Sequence, residues 1–222
     1  METFVVRVWV PDRPGALGQV ASRIGAVRGD VVGIDILERG AGRAIDELVV
    51  ELPHSGLVSL LLAEIDQVDG VDVEDVRAAP PEVADPRLDA LETAALLVGA
   101  QSEGELLTSL VAHGRRNFAA EWAVVVDLEE RSLLASHGSP PPPGWLVAFV
   151  AGSRSSAAVC SGECGPDDVA WAALGPSRLA LLLGRQGRPF RAKERHQLAA
   201  LCRIAQYVMV NLGIDRPLPV MP

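Results

Sequence analysis

The sequence predicts an α+β protein of two domains, each built on an antiparallel sheet. Three prolines fall within residues 79–86, where neither a helix nor a central strand can continue, so we place a linker there. Before this linker, apolar strands and amphipathic helices follow one another in the order βαββαβ; after it, two hairpins are flanked by helices. The chain of 222 residues is long enough for two such cores.

The first domain, residues 1–78, opens with a strand and a helix. The strand has a period of two, which places four apolar side chains on one face: Phe4, Val6, Val8 and Val10. The helix that follows ends around Gly29 and has an apolar stripe at helical spacing: Leu17, Val20, Ala21, Ile24 and Val27.

The rest of this domain completes the fold. Two strands, Val31–Glu38 and Ala44–Leu52, are joined by a glycine-bearing turn at residues 39–43 and predict an antiparallel hairpin. A second helix follows, with Ser55 as its N-cap. Its predicted apolar face consists of Leu57, Leu60, Leu61 and Ile65. The last strand is Val71–Ala78. This order is the ferredoxin-like plan, a four-stranded antiparallel sheet with both helices on one face.

The other face of this sheet carries apolar residues as well. When Val6 and Val8 point towards the helices, Val5 and Trp9 point away from them. One interpretation is that the second domain or a second chain covers this face. The alternative is that two exposed apolar side chains are ordinary on any surface.

The second domain, residues 87–213, is predicted as an antiparallel sheet with flanking helices. Residues 153–165 show no regular pattern, and the tail 214–222 is expected to be mobile. The predicted elements, in order, are helices Arg87–Val98 and Glu103–Asn117, the hairpin Trp122–Asp127 and Ser132–His137, a short helix Trp145–Val150, the hairpin Val169–Leu174 and Arg178–Leu183, and a long helix Ala192–Leu212.

Composition excludes several classes of function. The net charge is −9, and residues 1–79 hold seven arginines against fourteen Asp and Glu, so the first domain would repel nucleic acid. No apolar run reaches the roughly 18 residues that a membrane span needs, and no signal peptide is evident, so a cytoplasmic protein is expected. The thiols of Cys160, Cys164 and Cys202 lack a second half of a metal site, so neither a metal nor a cofactor is expected.

The junction between the first strand and the first helix is the best candidate site. Pro14 and Gly15 are predicted in the first helical turn, and the N–H groups of Gly15, Ala16 and Leu17 have no partner inside the helix. With the helix dipole, these groups can bind a carboxylate, while Asp12 can meet an α-amino group. The alternative is that Asp12 caps the helix.

Residues 4–78 resemble an ACT domain, a regulatory module attached to many enzymes of amino-acid metabolism. The resemblance is carried by Asp12-Arg13-Pro14-Gly15-Ala16-Leu17, the helix after it and the strand Val31–Ile36. It implies side-by-side pairing into an eight-stranded sheet, with an effector, usually an amino acid, between this turn and the second strand of a partner domain. The site residues that it implies are Asp12, Arg13, Gly15, Ala16, Leu17, Val31, Val32, Gly33, Ile34 and Asp35.

The chain departs from this family at two positions. Some amino-acid-binding members carry a polar side chain, often Asn, near Val31 and a His near Val10, and valine cannot donate a hydrogen bond to a carboxylate. A pocket here would therefore depend on backbone groups and Asp12. A more apolar effector, or a domain that only dimerises, stays open.

The second domain resembles a GAF domain in the order of its elements, from the N-terminal helices through two hairpins to a long closing helix that begins near residue 190. This implies either small-molecule binding or a dimer scaffold. Because the middle segment is short, a large pocket for a cyclic nucleotide or a bilin is not expected. A run of basic residues leads into the last helix: Arg185, Arg188, Arg191, Lys193 and Arg195. It is predicted either to attract a phosphate or an acidic partner, or to be a solvent-exposed segment before the helix.

The sequence therefore predicts a non-enzymatic regulatory homodimer that binds a small effector, most simply an amino acid, and acts on an unidentified protein partner. No nucleophile–base set, phosphate loop or carboxylate pair points to catalysis, so no catalytic residue is assigned. Two alternatives remain: a dimeric scaffold without a ligand, and small-molecule or nucleotide sensing by the GAF-like domain. No nucleic-acid or membrane partner is expected.

Overall fold

A computed structural model describes residues 1–79, 86–160, 166–175 and 178–214. The chain divides between residues 85 and 86 into two compact units, which are described separately below. Most of the predicted linker, Cys164, the second residue of the turn at 175–176 and nearly all of the predicted tail lie outside the described residues.

The first unit has the predicted ferredoxin-like fold. Its elements are β1 (Glu2–Pro11), α1 (Ala16–Ala26), β2 (Asp30–Gly40), β3 (Arg43–Leu52), a 3₁₀ turn (Ser55–Leu57), α2 (Val58–Ile65) and β4 (Asp72–Ala78). The strands form one antiparallel sheet in the order β2-β3-β1-β4. Alternate residues of β1 and β3 face the helices, as the period of two predicts.

The core of this unit lies between the helix-facing side of the sheet and the two helices. Its largest contributors from the helices are Val20, Ile24, Leu61 and Ile65. Ala21 is exposed, whereas the sequence predicts it in the buried stripe. The buried residues of α1 are Ala16, Val20 and Ile24, at steps of four, and Ala21 lies beside this stripe on the solvent side.

The start of α2 also differs from the sequence prediction. Ser55 is not an N-cap, since it lies in the 3₁₀ turn and its backbone N–H donates to the Glu2 carboxylate at 3.1 Å. The α-helix begins only at Val58, and this changes the phase of its apolar face. Leu60 is consequently exposed rather than buried.

The β2–β3 hairpin turns on two residues rather than on the five predicted. Ala41 and Gly42 both have positive φ, 52° and 76°. This is the backbone that a two-residue hairpin turn requires, because its twist matches that of the strands. The register of β2 against β3 shifts near Val32 and again near Leu37, two bulges that the period of the sequence does not reveal.

The sheet face opposite the helices carries a network of ion pairs. Arg7 is fully buried, and its guanidinium donates to Oε1 of Glu47 at 3.0 and 2.8 Å. The same oxygen accepts from Arg77 at 3.0 Å. Burial raises the pKa of Glu47, but Arg77 and Arg7 outweigh burial and hold that pKa below its usual value. Val5 is buried on this face, and Trp9 is half-buried.

The second unit is a four-stranded antiparallel sheet flanked by helices, in the order β6-β5-β8-β7. Its elements are α3 (Pro86–Val98), α4 (Glu103–Asn117), β5 (Trp122–Asp127), β6 (Ser132–His137), α5 (Pro143–Arg154), α6 (Ala157–Cys160), β7 (Val169–Leu174), β8 (Leu179–Gly184) and α7 (Ala192–Asn211). α5 is twice as long as predicted, since Pro143 begins it in the first-turn position that proline favours.

Both faces of this second sheet are covered. One packs on α4 and α7, and the other packs on α5 through Val124, Val126, Leu146, Val150 and Leu182. The two central strands, β5 and β8, are therefore buried on both sides, which explains why they are almost continuously apolar.

The basic run before α7 is largely a buried structural element. Arg185 is 3% exposed and donates to the carbonyls of Phe118 (2.6 Å), Arg188 (2.7 Å) and Pro189 (2.9 Å), and to Glu194 Oε2 (2.8 Å). The prediction that this basic segment is exposed to solvent is wrong for three of its five residues. Arg185, Arg188 and Arg195 are buried.

We expect Asp127 to be a stability residue of the second unit. One carboxylate oxygen accepts the N–H groups of Glu129 and Glu130, each at 3.0 Å, and the other accepts Arg178 Nε at 2.7 Å. Burial raises the pKa of Asp127, but these hydrogen bonds outweigh it and hold the pKa below 3.8. Asp127→Ala should lower the free energy of unfolding by about 2 kcal/mol at pH 7.

Denaturant titration of the full chain checks this expectation across pH. Because the folded pKa is depressed, the stabilising contribution is present above the unfolded value and disappears as pH falls through the folded value. The difference between wild type and Asp127→Ala should therefore shrink in acid. Arg178→Ala removes only a half-exposed partner and should have the smaller effect. Equal stability of wild type and Asp127→Ala at pH 7 would contradict the assignment.

Candidate functional site

The amino end of α1 is not capped by a side chain. Gly15 is the N-cap residue, with φ 87°, and the exposed Asp12 makes no capping hydrogen bond. Pro14 and Gly15 thus precede the helix rather than forming its first turn. Within the described residues, the N–H groups of Gly15, Leu17 and Gly18 have no acceptor, while that of Ala16 donates to the Arg13 carbonyl at 3.3 Å. Free N–H groups at the positive end of a helix dipole favour an anion.

The turn before this helix is fixed to the β2–β3 hairpin. The N–H of Asp12 donates to the carbonyl of Gly42 at 2.9 Å. Arg13 approaches Asp69 at 3.9 Å, an exposed pair that contributes little to stability. No atom lies within 4 Å of the position that a Cβ on Gly15 would occupy, so the approach to the backbone is open.

The predicted site residues on β2 lie away from this turn within one chain. The turn is at the end of the sheet where Pro11 pairs with Arg43. Asp35 pairs with Glu47 and Val31 with Val50, four and seven residues further along β3. At roughly 3.3 Å per residue, these positions are about 13 and 23 Å from the turn. One chain therefore does not bring the two predicted halves of the site together.

β2 is an edge strand with an apolar surface. Val32, Ile34 and Ile36 are all exposed, with Ile34 at 52%, whereas Val31, Gly33 and Asp35 are half-buried. The strand has eleven residues, which is long for the edge strand of a sheet, and an edge of this length is a template for pairing with another strand.

Asp46 is a functional candidate that the sequence prediction missed. It lies on the helix-facing side of β3, between Val8 of β1 and Ile36 of β2, at the same end of the sheet as the amino end of α1. The residue is 4% exposed, and its Oδ1 has no hydrogen-bond partner in the described part of the chain. A buried carboxyl oxygen without a hydrogen-bond donor is costly, so it needs a reason.

The charges around Asp46 leave it poorly compensated. Burial is the largest effect and raises the pKa of Asp46 above its ordinary value. Arg39 on β2 lowers this pKa, while Asp12 and Asp35 raise it. Asp46 is three residues along β3 from Arg43, which pairs with Pro11, so the buried carboxyl and the turn before α1 lie towards the same end of the sheet. The amino end of α1 thus has both unpaired N–H donors and an unpaired acceptor nearby.

The second unit shows fewer groups available for chemistry. The space between its sheet and α5 is filled by apolar side chains such as Leu146 and Val150. Burial raises the pKa of the Cys202 thiol, which makes it unreactive. In the portion of the chain with described coordinates, no three His, Cys, Asp or Glu side chains are placed to hold a metal ion. None of the described helices is both long enough and apolar enough to cross a membrane.

No family model and no curated protein matches this chain. Solved structures are similar to parts of it. The ACT domain from the GTP pyrophosphokinase of Chlorobium tepidum is 17% identical and covers 35% of this chain and 97% of its own, with a TM-score of 0.29. The GAF domain from an Acinetobacter phosphoenolpyruvate-protein phosphotransferase is 15% identical to this chain. The match covers 60% of this chain and 97% of that domain, with a TM-score of 0.43. An unknown protein from Galdieria sulphuraria is 13% identical to this chain. The match covers 96% of this chain and 95% of that protein, with a TM-score of 0.32.

These structures include both families that the sequence resembles, an ACT domain and a GAF domain. At such low identities and TM-scores the similarity concerns the fold alone, and it assigns neither a ligand nor an activity to this chain.

Asp46→Asn should make the protein more stable at neutral pH. A carboxyl whose folded pKa is raised contributes stability below its unfolded pKa and loses it as pH rises through the folded value. At pH 7 the free energy of unfolding of Asp46→Asn should therefore exceed that of the wild type by about 1 kcal/mol, because the neutral amide replaces a buried carboxylate. The gain should vanish below the ordinary pKa of 3.8, where Asp46 is protonated in both states. Thermal unfolding of both proteins from pH 3 to pH 8 measures this, and a stability loss at pH 7 would contradict it.

Proposed function

We propose that this chain is a non-enzymatic, ligand-sensing regulatory protein whose first unit binds an amino acid at a seam between two copies. The observation that carries the proposal is the pairing of opposite unsatisfied groups at one end of the first sheet. Within the described residues, the N–H groups of Gly15, Leu17 and Gly18 lack acceptors, and the buried Oδ1 of Asp46 lacks a donor. The proposal assigns no catalytic residue, metal or cofactor.

The amino end of α1 supports binding of a carboxylate. Three N–H groups without acceptors, reinforced by the helix dipole, stabilise a negative charge without any basic side chain. Gly15 has a left-handed backbone and is exposed, and apart from its chain neighbours no atom lies within 4 Å of a Cβ position there. This explains how Val10 and Val31 can stand where a polar side chain would otherwise bind the effector: the backbone supplies the donors.

Asp46 supports a ligand that also carries an ammonium group. An ammonium beside this carboxyl would supply the missing hydrogen-bond donor and offset the charge of Asp12 and Asp35. A simple carboxylic acid would satisfy only the helix end and leave Asp46 unpaired. The chemistry of the site therefore favours a zwitterionic amino acid over a carboxylate that lacks the amine.

The second copy completes the site through β2. In an antiparallel pair of β2 strands related by a two-fold axis near Asp35, the start of one strand lies beside the end of the other. Residues 31–35 of one copy then approach the turn before α1 of the other copy, which they cannot reach in their own chain. The exposed Val32, Ile34 and Ile36 become buried in such a pair.

Gly18→Leu should abolish amino-acid binding without unfolding the protein. Gly18 is an exposed helical residue with open space at its Cβ position. A helical side chain leans over the turn on its N-terminal side, so leucine here would cover the free N–H groups. A ligand at 100 times its dissociation constant adds about 2.7 kcal/mol to the stability of wild type. A thermal-unfolding screen against the twenty amino acids should show this shift for wild type only.

The matched control is Gly25→Leu, near the other end of the same helix and equally open. Both substitutions replace glycine by a better helix former, so neither should lower the stability of the free protein. Gly25→Leu should keep the ligand-induced shift. Retained binding in Gly18→Leu would rule out the amino end of α1 as the ligand site.

Ile34→Lys should weaken both pairing through β2 and amino-acid binding. A charge on an edge strand opposes strand pairing, and this side chain is already exposed, so the free chain tolerates it. Affinity measured by calorimetry should fall by about tenfold or more, because residues from the second copy no longer complete the site. Unchanged affinity would show that a single chain holds the ligand and that β2 is not the seam.

A further inference from the structure

The buried oxygen of Asp46 lies in an otherwise apolar part of the first sheet. On β3 this residue stands opposite Val8 of β1 and Ile36 of β2, whose side chains carry no polar group. Asp46 is 4% exposed, and among the described residues its Oδ1 has no hydrogen-bond donor. The cost of this burial falls in two ways: the carboxyl takes up a proton, or a donor from another molecule approaches it.

The charged neighbours of Asp46 do not balance its charge. On β2, Arg39 attracts the carboxylate and Asp35 repels it, while Asp12 in the turn before α1 is a second repulsive neighbour. The residue opposite on β1, Val8, is uncharged. The first seven residues of α1, 16–22, contain no titratable side chain. One basic group therefore faces two acidic groups around the buried carboxyl.

The basic side chains next to this neighbourhood are paired with other acids. Arg43, on the same strand as Asp46, donates to the Asp72 carboxylate and to the carbonyl of Gly70. Arg13 in the turn before α1 approaches Asp69 in the loop before β4 at 3.9 Å. The free chain thus leaves the charge of Asp46 to be offset by a proton or by a bound cation.

A proton and an ammonium group compete for this carboxyl. Burial, with the charges of Asp12 and Asp35, raises the pKa of Asp46 and favours the protonated form. An ammonium group beside it favours the carboxylate instead. An amino acid stays zwitterionic between about pH 4.5 and pH 7, because α-carboxyl groups titrate near about 3.5 and α-amino groups near about 8. A proton exchanged on binding in this range therefore comes from the protein.

We propose that amino-acid binding to the first unit releases a proton from Asp46, so that the affinity for the effector falls in acid. The coupling rests on the proposed function, because the ammonium group of the same effector displaces the proton. The O–H bond of the carboxyl ionises, the proton passes to the solvent, and the carboxylate accepts a hydrogen bond from the ammonium group. Proton and effector then weaken each other's binding by the same factor.

The direction of the pH dependence follows from linkage. The pKa of Asp46 is raised in the free chain and lower when an ammonium group is bound. Affinity is therefore complete above the pKa of the free chain and falls as pH drops through it. For one proton the dissociation constant rises by up to about tenfold per pH unit.

Isothermal titration calorimetry of the full chain tests the coupling. The probe is the amino acid, among the twenty, that shifts thermal unfolding most. At pH 5.5 its heat of binding should differ between MES and Bis-Tris buffers, whose protonation enthalpies differ, by an amount equivalent to release of up to one proton. Its dissociation constant, measured from pH 7.5 to pH 5, should rise as pH falls.

Three variants identify the group that releases the proton. Asp46→Asn cannot release it, so its heat should be equal in both buffers and its dissociation constant independent of pH. Glu51→Gln is the matched control, because it removes a carboxylate from the same strand on the other face of the sheet, and it should keep the release. Arg39→Gln removes the attractive charge and should move the pH dependence to higher pH.

The outcomes separate this coupling from the proposed function. Binding with the same heat in both buffers and a constant affinity from pH 7.5 to pH 5 would overturn the coupling alone. Equal proton release in Asp46→Asn and wild type would also overturn it, since another group would then supply the proton. Failure of all twenty amino acids to bind at any pH would overturn the proposed function and the coupling together.

Discussion

The register between β1 and β3 determines the geometry of the first unit. The two strands pair without interruption from Glu2 with Leu52 to Pro11 with Arg43. This pairing places the end of β1 beside the hairpin turn, where the N–H of Asp12 bonds to Gly42, and it sets the origin of α1 at that corner of the sheet. It also places Asp46 opposite Val8, on the helix-facing side. A shift by one residue would turn Asp46 to the other face and bury Glu47 under the helices.

Two buried charged side chains, Arg185 and Asp46, are compensated to very different degrees. Arg185 is surrounded by acceptors, with three carbonyl oxygens and the Glu194 carboxylate within 2.9 Å, so its burial stabilises the second unit. Asp46 has an oxygen without any partner and two acidic groups as electrostatic neighbours. The first arrangement is complete in the free chain. The second is incomplete, and this difference is why the proposed ligand site includes Asp46, whereas Arg185 has a structural role.

The sequence predicts the fold more fully than the site, and the reason is physical. Three elements of the second unit have the predicted bounds, because local periodicity and capping determine them. They are α4 (Glu103–Asn117), β5 (Trp122–Asp127) and β6 (Ser132–His137). The start of α2 differs from the prediction at a point where the N–H of Ser55 donates to the Glu2 side chain, 53 residues earlier in the chain, a contact that no local pattern contains. Asp46 did carry a signal. It is an acid within an apolar alternation that continues through Leu48 and Val50, but only the strand register shows that this alternation faces the helices.

The proposed seam at β2 links ligand binding to self-association. A ligand that binds only where β2 of one copy meets the turn of another favours the paired state, so ligand concentration and self-association are linked. β2 offers few apolar side chains for this, mainly Val32, Ile34 and Ile36, and strand pairing through them alone is weak. A weak β2 contact forms and separates with ligand concentration, which is the property that the proposed sensor requires.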